Sequence, residues 1–175
     1  MTPHNNQDHK LNDGKSAKFH ALLDTLLEPA LVLMLLSLVL VVLWQVFSRY
    51  VLQSPSTVTD ELARFLLIWL TLLGAAWVVG QRGHLAIDLL SEKLSIKRAV
   101  LLQGFLVLLM AAFALGVLVV GGLRLVDVTL TLAQRSTVLE VPMGYIYLAL
   151  PISGVFMLGY CACAFVRAAS YLKER

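Results

Sequence analysis

The chain has 175 residues, 59% hydrophobic and 14% charged, with a formal net charge of +3 and a mean hydropathy of +0.81. A soluble globular domain sits nearer half apolar, and the surplus here is gathered into four runs without a charge, 29–48, 65–81, 99–123 and 141–166. The modest basic excess lies between and beyond these runs, which suits contact with membrane lipid and argues against nucleic acid as a partner.

A helix crossing roughly 30 Å of hydrocarbon needs about 20 mainly apolar residues. Lipid offers the backbone no hydrogen-bond partner, so runs of this length become helices. The strand-like alternation of a membrane barrel is absent. The sequence therefore predicts an all-α integral membrane protein. It has four transmembrane helices, at about 29–51, 58–80, 99–123 and 141–166, with short amphipathic surface helices besides. No separate soluble domain is expected. Residues 1–17 read as a flexible cytoplasmic tail and 18–175 as a single four-helix membrane domain.

His4 and His9 in the tail read as solvated side chains. From Lys18 the pattern turns helical: Phe19, Leu22, Leu23, Leu26 and Leu27 share a face against Lys18, Asp24 and Glu28. This segment either lies in the membrane surface or extends the first span. The apolar run that follows is longer than the roughly 7–15-residue core of a signal peptide and lacks a prompt cleavage site, so it reads as a retained span. Trp44 and Tyr50 sit near its far end, where amphipathic rings favour the interface, and Arg49 beside them can snorkel outward.

Pro55 punctuates the turn. Thr57 is the expected N-cap of the second helix, with Asp60 three residues on in a capping-box-like pair. Asp60 and Glu61 lie where the positive end of the helix dipole favours anions. The uncharged part of this helix, 65–81, is only about 17 residues, or roughly 26 Å at about 1.5 Å per residue. Its first turn, with Asp60, Glu61 and Arg64, is therefore drawn to the membrane edge, and Glu61 and Arg64 share a face at i, i+3.

A polar loop, Gln81-Arg82-Gly83-His84, is expected next. An amphipathic surface segment should follow, in which Leu85, Ile87, Leu89, Leu90 and Leu94 alternate with Asp88, Glu92, Lys93, Lys97 and Arg98. A solvated helical turn is the alternative for this segment. The third span is rich in Leu, Val, Ala and Gly, and its small residues permit close helix contact. The fourth starts near Pro142 and should kink at Pro151. Tyr145, Tyr147 and Tyr160 read as edge aromatics.

Lys10, Lys15 and Lys18, then Arg82, Lys93, Lys97 and Arg98, then Arg167, Lys173 and Arg175 fall on one side; Arg49, Arg64, Arg124 and Arg135 fall on the other. The positive-inside rule places both termini and the 2–3 loop in the cytoplasm, and the 45–64 turn outside.

Little chemistry is visible. There is no phosphate loop, no Ser/His/Asp set and no ionisable group deep in a span, where pumps and proton relays carry them. Cys161 and Cys163 have no other Cys or intramembrane His to complete a disulfide framework or zinc site. The missing intramembrane histidines also argue against a haem subunit. No catalytic, cofactor-binding or metal-binding residue is assigned, and the chain is not expected to be an enzyme. A stand-alone four-helix transporter and a membrane redox subunit are the competing readings.

Several segments together resemble a known family. They are Gln45-Val46-Phe47-Ser48-Arg49-Tyr50-Val51, Thr59-Asp60-Glu61-Leu62-Ala63-Arg64-Phe65-Leu66-Leu67-Ile68-Trp69, Gly74-Ala75-Ala76, Gly83-His84-Leu85-Ala86-Ile87-Asp88, Val141-Pro142 and Ala149-Leu150-Pro151-Ile152. In order and spacing they resemble the small membrane subunit of tripartite ATP-independent periplasmic (TRAP) transporters, the DctQ-like family. The resemblance implies a multi-pass protein of a bacterial inner membrane. It also implies two partners, a large membrane subunit carrying the substrate and sodium sites and a periplasmic substrate-binding protein. The small subunit would scaffold the large one during uptake of an organic anion such as a dicarboxylate or sialic acid.

Candidate interface or structural residues are Arg49, Asp60, Glu61, Arg64, Trp69, His84 and Asp88. Asp60, Glu61 and Arg64 pair with Arg49 or with the large subunit on one reading, and on the other form a capped helix start with a snorkelling arginine. Trp69 lies inside the second span and is a candidate for the inter-subunit seam, whereas Trp44 and Trp77 equally read as interface anchors. His84 and Asp88, at i, i+4, either share a face toward the large subunit or belong to a solvated loop.

Overall fold

The computed structural model describes residues 4–54, 56–91 and 96–173, with side chains over 18–54, 56–81, 102 and 104–165. Helix α1 runs His4–Tyr50, α2 Thr57–Ser91, and α3 Ile96–Phe113; a π-helical stretch over Ala114–Gly121 leads into α4, Gly122–Thr131. Two further helices, α5 (Met143–Tyr147) and α6 (Ala149–Lys173), complete the chain. Four helical segments are long and apolar enough to cross a membrane: Lys18–Tyr50, Thr57–Gln81, Gly104–Thr131 and Met143–Phe165.

Helices α2 and α6 pack together at the centre, α1 lies across both, and α3 with its π-helical continuation packs on the other flank of α6. The core is small and apolar, built on Ala76, Ala114, Leu118, Met157 and Cys161. Large apolar side chains such as Leu33, Leu40, Leu43, Leu108 and Leu109 point outward. That inversion of the soluble pattern is what hydrocarbon solvent allows. Hydroxyls inside the spans fold back onto their own helix. Ser37 donates to the Leu33 carbonyl at 2.8 Å, Thr71 to Leu67 at 2.8 Å and Ser153 to Leu150 at 2.9 Å. None of these is left without a partner in a solvent that cannot supply one.

One alternative left open by the sequence is decided, and three local features differ from the sequence expectation. First, α1 continues unbroken through 18–28, so this amphipathic segment extends the first span. Leu23 and Leu27 bury against the bundle while Phe19, Leu22 and Leu26 stay exposed. Second, 81–84 forms no loop, because α2 carries on to Ser91. A single Gly83 lowers helix stability by only about 1 kcal/mol relative to Ala and does not end the helix. Residues 92–95 lie outside the described ones.

Third, α2 begins at Thr57, so the capping position falls on Ser56. The Ser56 carbonyl accepts the Asp60 N–H at 3.4 Å and the Thr59 hydroxyl at 2.9 Å. Fourth, the break in the last span is at Leu148, between α5 and α6, three residues before Pro151. Pro151 has no N–H, and its ring crowds the carbonyl four residues back, so the chain yields ahead of the proline.

The π-helical stretch had no signal in the apolar pattern. It is held where α6 comes closest. A Cβ at Gly154 would stand 2.8 Å from Leu118 Cβ and from Val119 Cγ2, and one at Gly122 would stand 2.9 Å from Leu150 Cβ and from Pro151 Cδ. Beside this crossing, Val119, Leu123, Leu148, Pro151, Ile152, Val155 and Phe156 line an apolar groove of about 330 Å³.

Candidate functional site at the loop end of the bundle

The 1–2 turn and the 3–4 loop meet at one end of the bundle. The turn is closed by Ser48, which is 4% exposed: its hydroxyl donates to the Ser54 carbonyl at 2.5 Å, and the Ser54 N–H donates back to the Ser48 carbonyl at 3.2 Å. Gln53 takes a left-handed conformation, φ 51°, to complete the reversal.

The 3–4 loop opens with a Schellman-type cap on α4. The Gln134 N–H donates to the Thr129 carbonyl at 3.1 Å, the Ala133 N–H donates to Leu130 at 3.0 Å, and Ala133 sits at φ 49° where glycine is usual. The loop then folds back on itself. Arg135 and Pro142 pair as an antiparallel bridge, the Ser136 N–H donates to Val141 at 2.9 Å, and the Met143 N–H donates to Gln134 at 2.9 Å.

Glu61 joins these two parts. One carboxylate oxygen, Oε2, accepts the backbone N–H of Val138 at 3.1 Å and of Leu139 at 2.9 Å. Bonds from backbone N–H to a carboxylate are charge-assisted and stronger than neutral ones. The first turn of α2 thus clamps the tip of a loop that lies more than 70 residues away in the chain.

The hydrogen-bond partners of Glu61 are backbone amides, with the Ser136 side chain beside them, and no charge pattern announces them. Neither Arg49, at the last turn of α1, nor Arg64 forms an ion pair among the described residues, and both are exposed along with Asp60. The structure therefore gathers Glu61 with the loop and leaves Arg49, Asp60 and Arg64 exposed near the same end of the bundle. Trp69 is half-buried in α2. Trp44 is exposed and tilts against Phe47, with ring centroids 6.0 Å apart. Trp77 is half-buried, and its indole N–H has no acceptor among the described residues. His84 and Asp88 lie on the continuous α2 backbone, and their side chains are outside the described ones.

A second polar cluster was missed in the sequence. Tyr160 is 2% exposed, not an edge aromatic, and its hydroxyl donates to Asp24 Oδ1 at 2.8 Å. His20 Nδ1 lies 2.9 Å from Asp24 Oδ2. The i, i+4 spacing of His20 and Asp24 was a readable signal, whereas the link to Tyr160 was not. No group of three or more potential metal ligands occurs among the described residues.

Four apolar spans whose polar side chains tie the chain to itself define a multi-pass membrane protein. The family described as tripartite ATP-independent periplasmic transporters, DctQ component, matches residues 38–170. The chain belongs to this family and is a TRAP transporter small permease subunit. It is similar to the sialic acid TRAP transporter small permease protein SiaQ of Vibrio cholerae, 29% identical over 127 residues that cover 70% of this chain and 69% of the relative. It is also similar to the isethionate TRAP transporter permease protein DctMQ of Oleidesulfovibrio alaskensis. That match is 26% identical over 135 residues, covering 72% of this chain and 21% of the longer protein.

Proposed function

We propose that this subunit is a non-catalytic scaffold. It would pack in the bacterial inner membrane against a large membrane subunit that carries the substrate and sodium sites, and a periplasmic binding protein would deliver an organic anion to the pair. One observation carries the reading. No Asp, Glu, Lys, Arg or His falls within 29–48, 65–81, 99–123 or 141–166, and the hydroxyls of Ser37, Thr71 and Ser153 are bonded to their own helices. Coupled carriers place ionisable and polar groups at mid-membrane; here the His20–Asp24 pair lies at the very start of the extended first span, so the mid-membrane groups are assigned to another chain.

The relatives support the partner set. One is named for sialic acid and the other for isethionate, both organic anions. The second is a longer permease protein, of which this chain matches 21%. Lysine and arginine placement supports cytoplasmic termini, with the Glu61 end toward the periplasm.

Reconstitution tests the reading. Proteoliposomes holding this chain alone, the large subunit alone or both are given binding protein loaded with sialic acid or isethionate and an inward sodium gradient. Uptake is expected only with both membrane subunits. Sodium-driven uptake by this chain alone would establish it as a stand-alone transporter, and full uptake by the large subunit alone would remove the scaffold role.

A further inference from the structure

At the end of the bundle away from Glu61, three spans are joined through one histidine. His20 and Asp24 come from α1, Gly80 from α2 and Tyr160 from α6. Gly80 lies 19 residues after Glu61 (80 − 61), about 28 Å along α2 at about 1.5 Å per residue. The Tyr160 hydroxyl donates to Asp24 Oδ1 at 2.8 Å, His20 Nδ1 lies 2.9 Å from Asp24 Oδ2, and His20 Nε2 lies 3.4 Å from the Gly80 carbonyl oxygen. The His20 ring also meets Tyr160 edge-on, with centroids 5.1 Å apart and planes at 67°.

Both ring nitrogens thus face acceptors, a carboxylate on one side and a backbone carbonyl on the other. Neither oxygen has a proton to give. Neutral imidazole carries one N–H and imidazolium two. Only the protonated ring satisfies both contacts. A neutral ring that keeps its Nδ1–H on Asp24 turns the Nε2 lone pair toward the Gly80 oxygen, and that contact becomes repulsive. The partners cannot easily move away. Gly80 is pressed against Tyr160 so closely that a Cβ there would come within 2.5 Å of the ring. The side chains of His20 and Asp24 are 15% and 21% exposed, so the pair is not sealed inside the bundle.

We propose that His20 is a proton-controlled tie between α1 and α2. Protonated, it bridges Asp24 to the Gly80 carbonyl; neutral, it stays with Asp24 and gives up the bond to Gly80. The other groups on the cluster are Glu28 of α1 and Cys163 of α6, both acting electrostatically on the Tyr160 hydroxyl. From α2 only the Gly80 carbonyl faces the ring among the described residues. The side chains of Arg82, His84 and Arg167 lie outside those residues.

The test uses the full chain in lipid nanodiscs. His4, His9 and His84 are replaced together by Gln, so that His20 is the sole histidine and the cluster itself is unchanged. The histidine ring is labelled with nitrogen-15 and the glycine carbonyls with carbon-13, and both are followed by NMR from about pH 5 to about pH 8. The expected result is a doubly protonated His20 at the acid end that loses the Nε2 proton on titration, with a Gly80 carbonyl shift that follows the same midpoint. Adding His20→Gln should abolish that shift. A ring neutral throughout, a ring doubly protonated throughout, or a Gly80 carbonyl that ignores the His20 titration would each overturn the proposal.

Discussion

Glu61 shows how far a charged side chain's meaning depends on what meets it. Its Oε2 holds the Val138 and Leu139 amides of a loop that also folds back on itself. Truncation to alanine leaves two amide donors without their acceptor, and the loop tip should open more often. Glu61→Ala should therefore speed amide exchange at Val138 and Leu139, read by hydrogen–deuterium exchange on the chain in nanodiscs. Glu61→Gln keeps an acceptor oxygen but loses the charge, and should fall between the wild type and Glu61→Ala. Equal exchange in all three proteins would mean that the loop shapes itself without the clamp. At the other end, Gly80 faces the rigid Tyr160 ring with no room for a methyl group. Gly80→Ala should destabilise the fold by about 1–3 kcal/mol, the usual scale of overpacking, measured as a lower thermal midpoint in detergent. Both residues stood in plain view in the sequence, and their partners did not. A helix start rich in acid already explains Glu61 through the dipole, so nothing required a loop amide more than 70 residues on. His20 and Asp24 stand one turn apart and could be paired by spacing alone. The Tyr160 that completes them comes from the last helix.

At the scale of elements, the four spans were legible because hydrocarbon length and the bond-free solvent leave an apolar run few alternatives. The interruptions were not legible in the same way. Pro151 announced a disturbance, but the proline constrains the residues before it, and the chain breaks at Leu148. The π-helical stretch Ala114–Gly121 has no local signature at all: its residues are ordinary Leu, Val, Ala and Gly. Such stretches are costly and persist where packing fixes them. The fixing contact here is with α6, where Gly154 sits under Leu118 and Val119. Gly154→Ala would place a Cβ 2.8 Å from both side chains and 3.2 Å from the Val119 nitrogen, which is backbone and cannot swing aside. A loss of about 1–3 kcal/mol is expected. Gly116→Ala is the matched control, since a Cβ there meets nothing within 4 Å. It should be neutral or slightly stabilising, because alanine is the better helix former. Chemical or thermal unfolding in the same detergent compares the two. Equal effects would mean that the α6 crossing does not hold the π-helical stretch.

The whole molecule is polarised along the membrane normal. One end carries the Ser48-closed turn and the Glu61-clamped loop, and the other carries the His20–Asp24–Tyr160 tie, with the lysine-rich segments beyond it. Architecture alone does not fix which end faces which compartment, because four helices span equally well either way up. Charge offers an argument: juxtamembrane Lys and Arg are usually retained on the cytoplasmic side, which supports the proposed cytoplasmic termini and calls for a direct test. With Cys161 and Cys163 replaced by alanine, single cysteines at Val138 and at Lys10 report the two ends. Val138 is 41% exposed on the clamped loop, so a reagent can reach it. In cells with a permeabilised outer membrane, a membrane-impermeant maleimide should label the Val138 cysteine at once. The Lys10 cysteine should be labelled only after lysis. The same pattern must hold when the large subunit is co-expressed, although a partner seated on the loop would slow labelling at Val138 without reversing the sidedness. Labelling of the Lys10 cysteine in intact cells would invert the topology, place the Glu61 clamp in the cytoplasm and take it out of reach of any periplasmic protein.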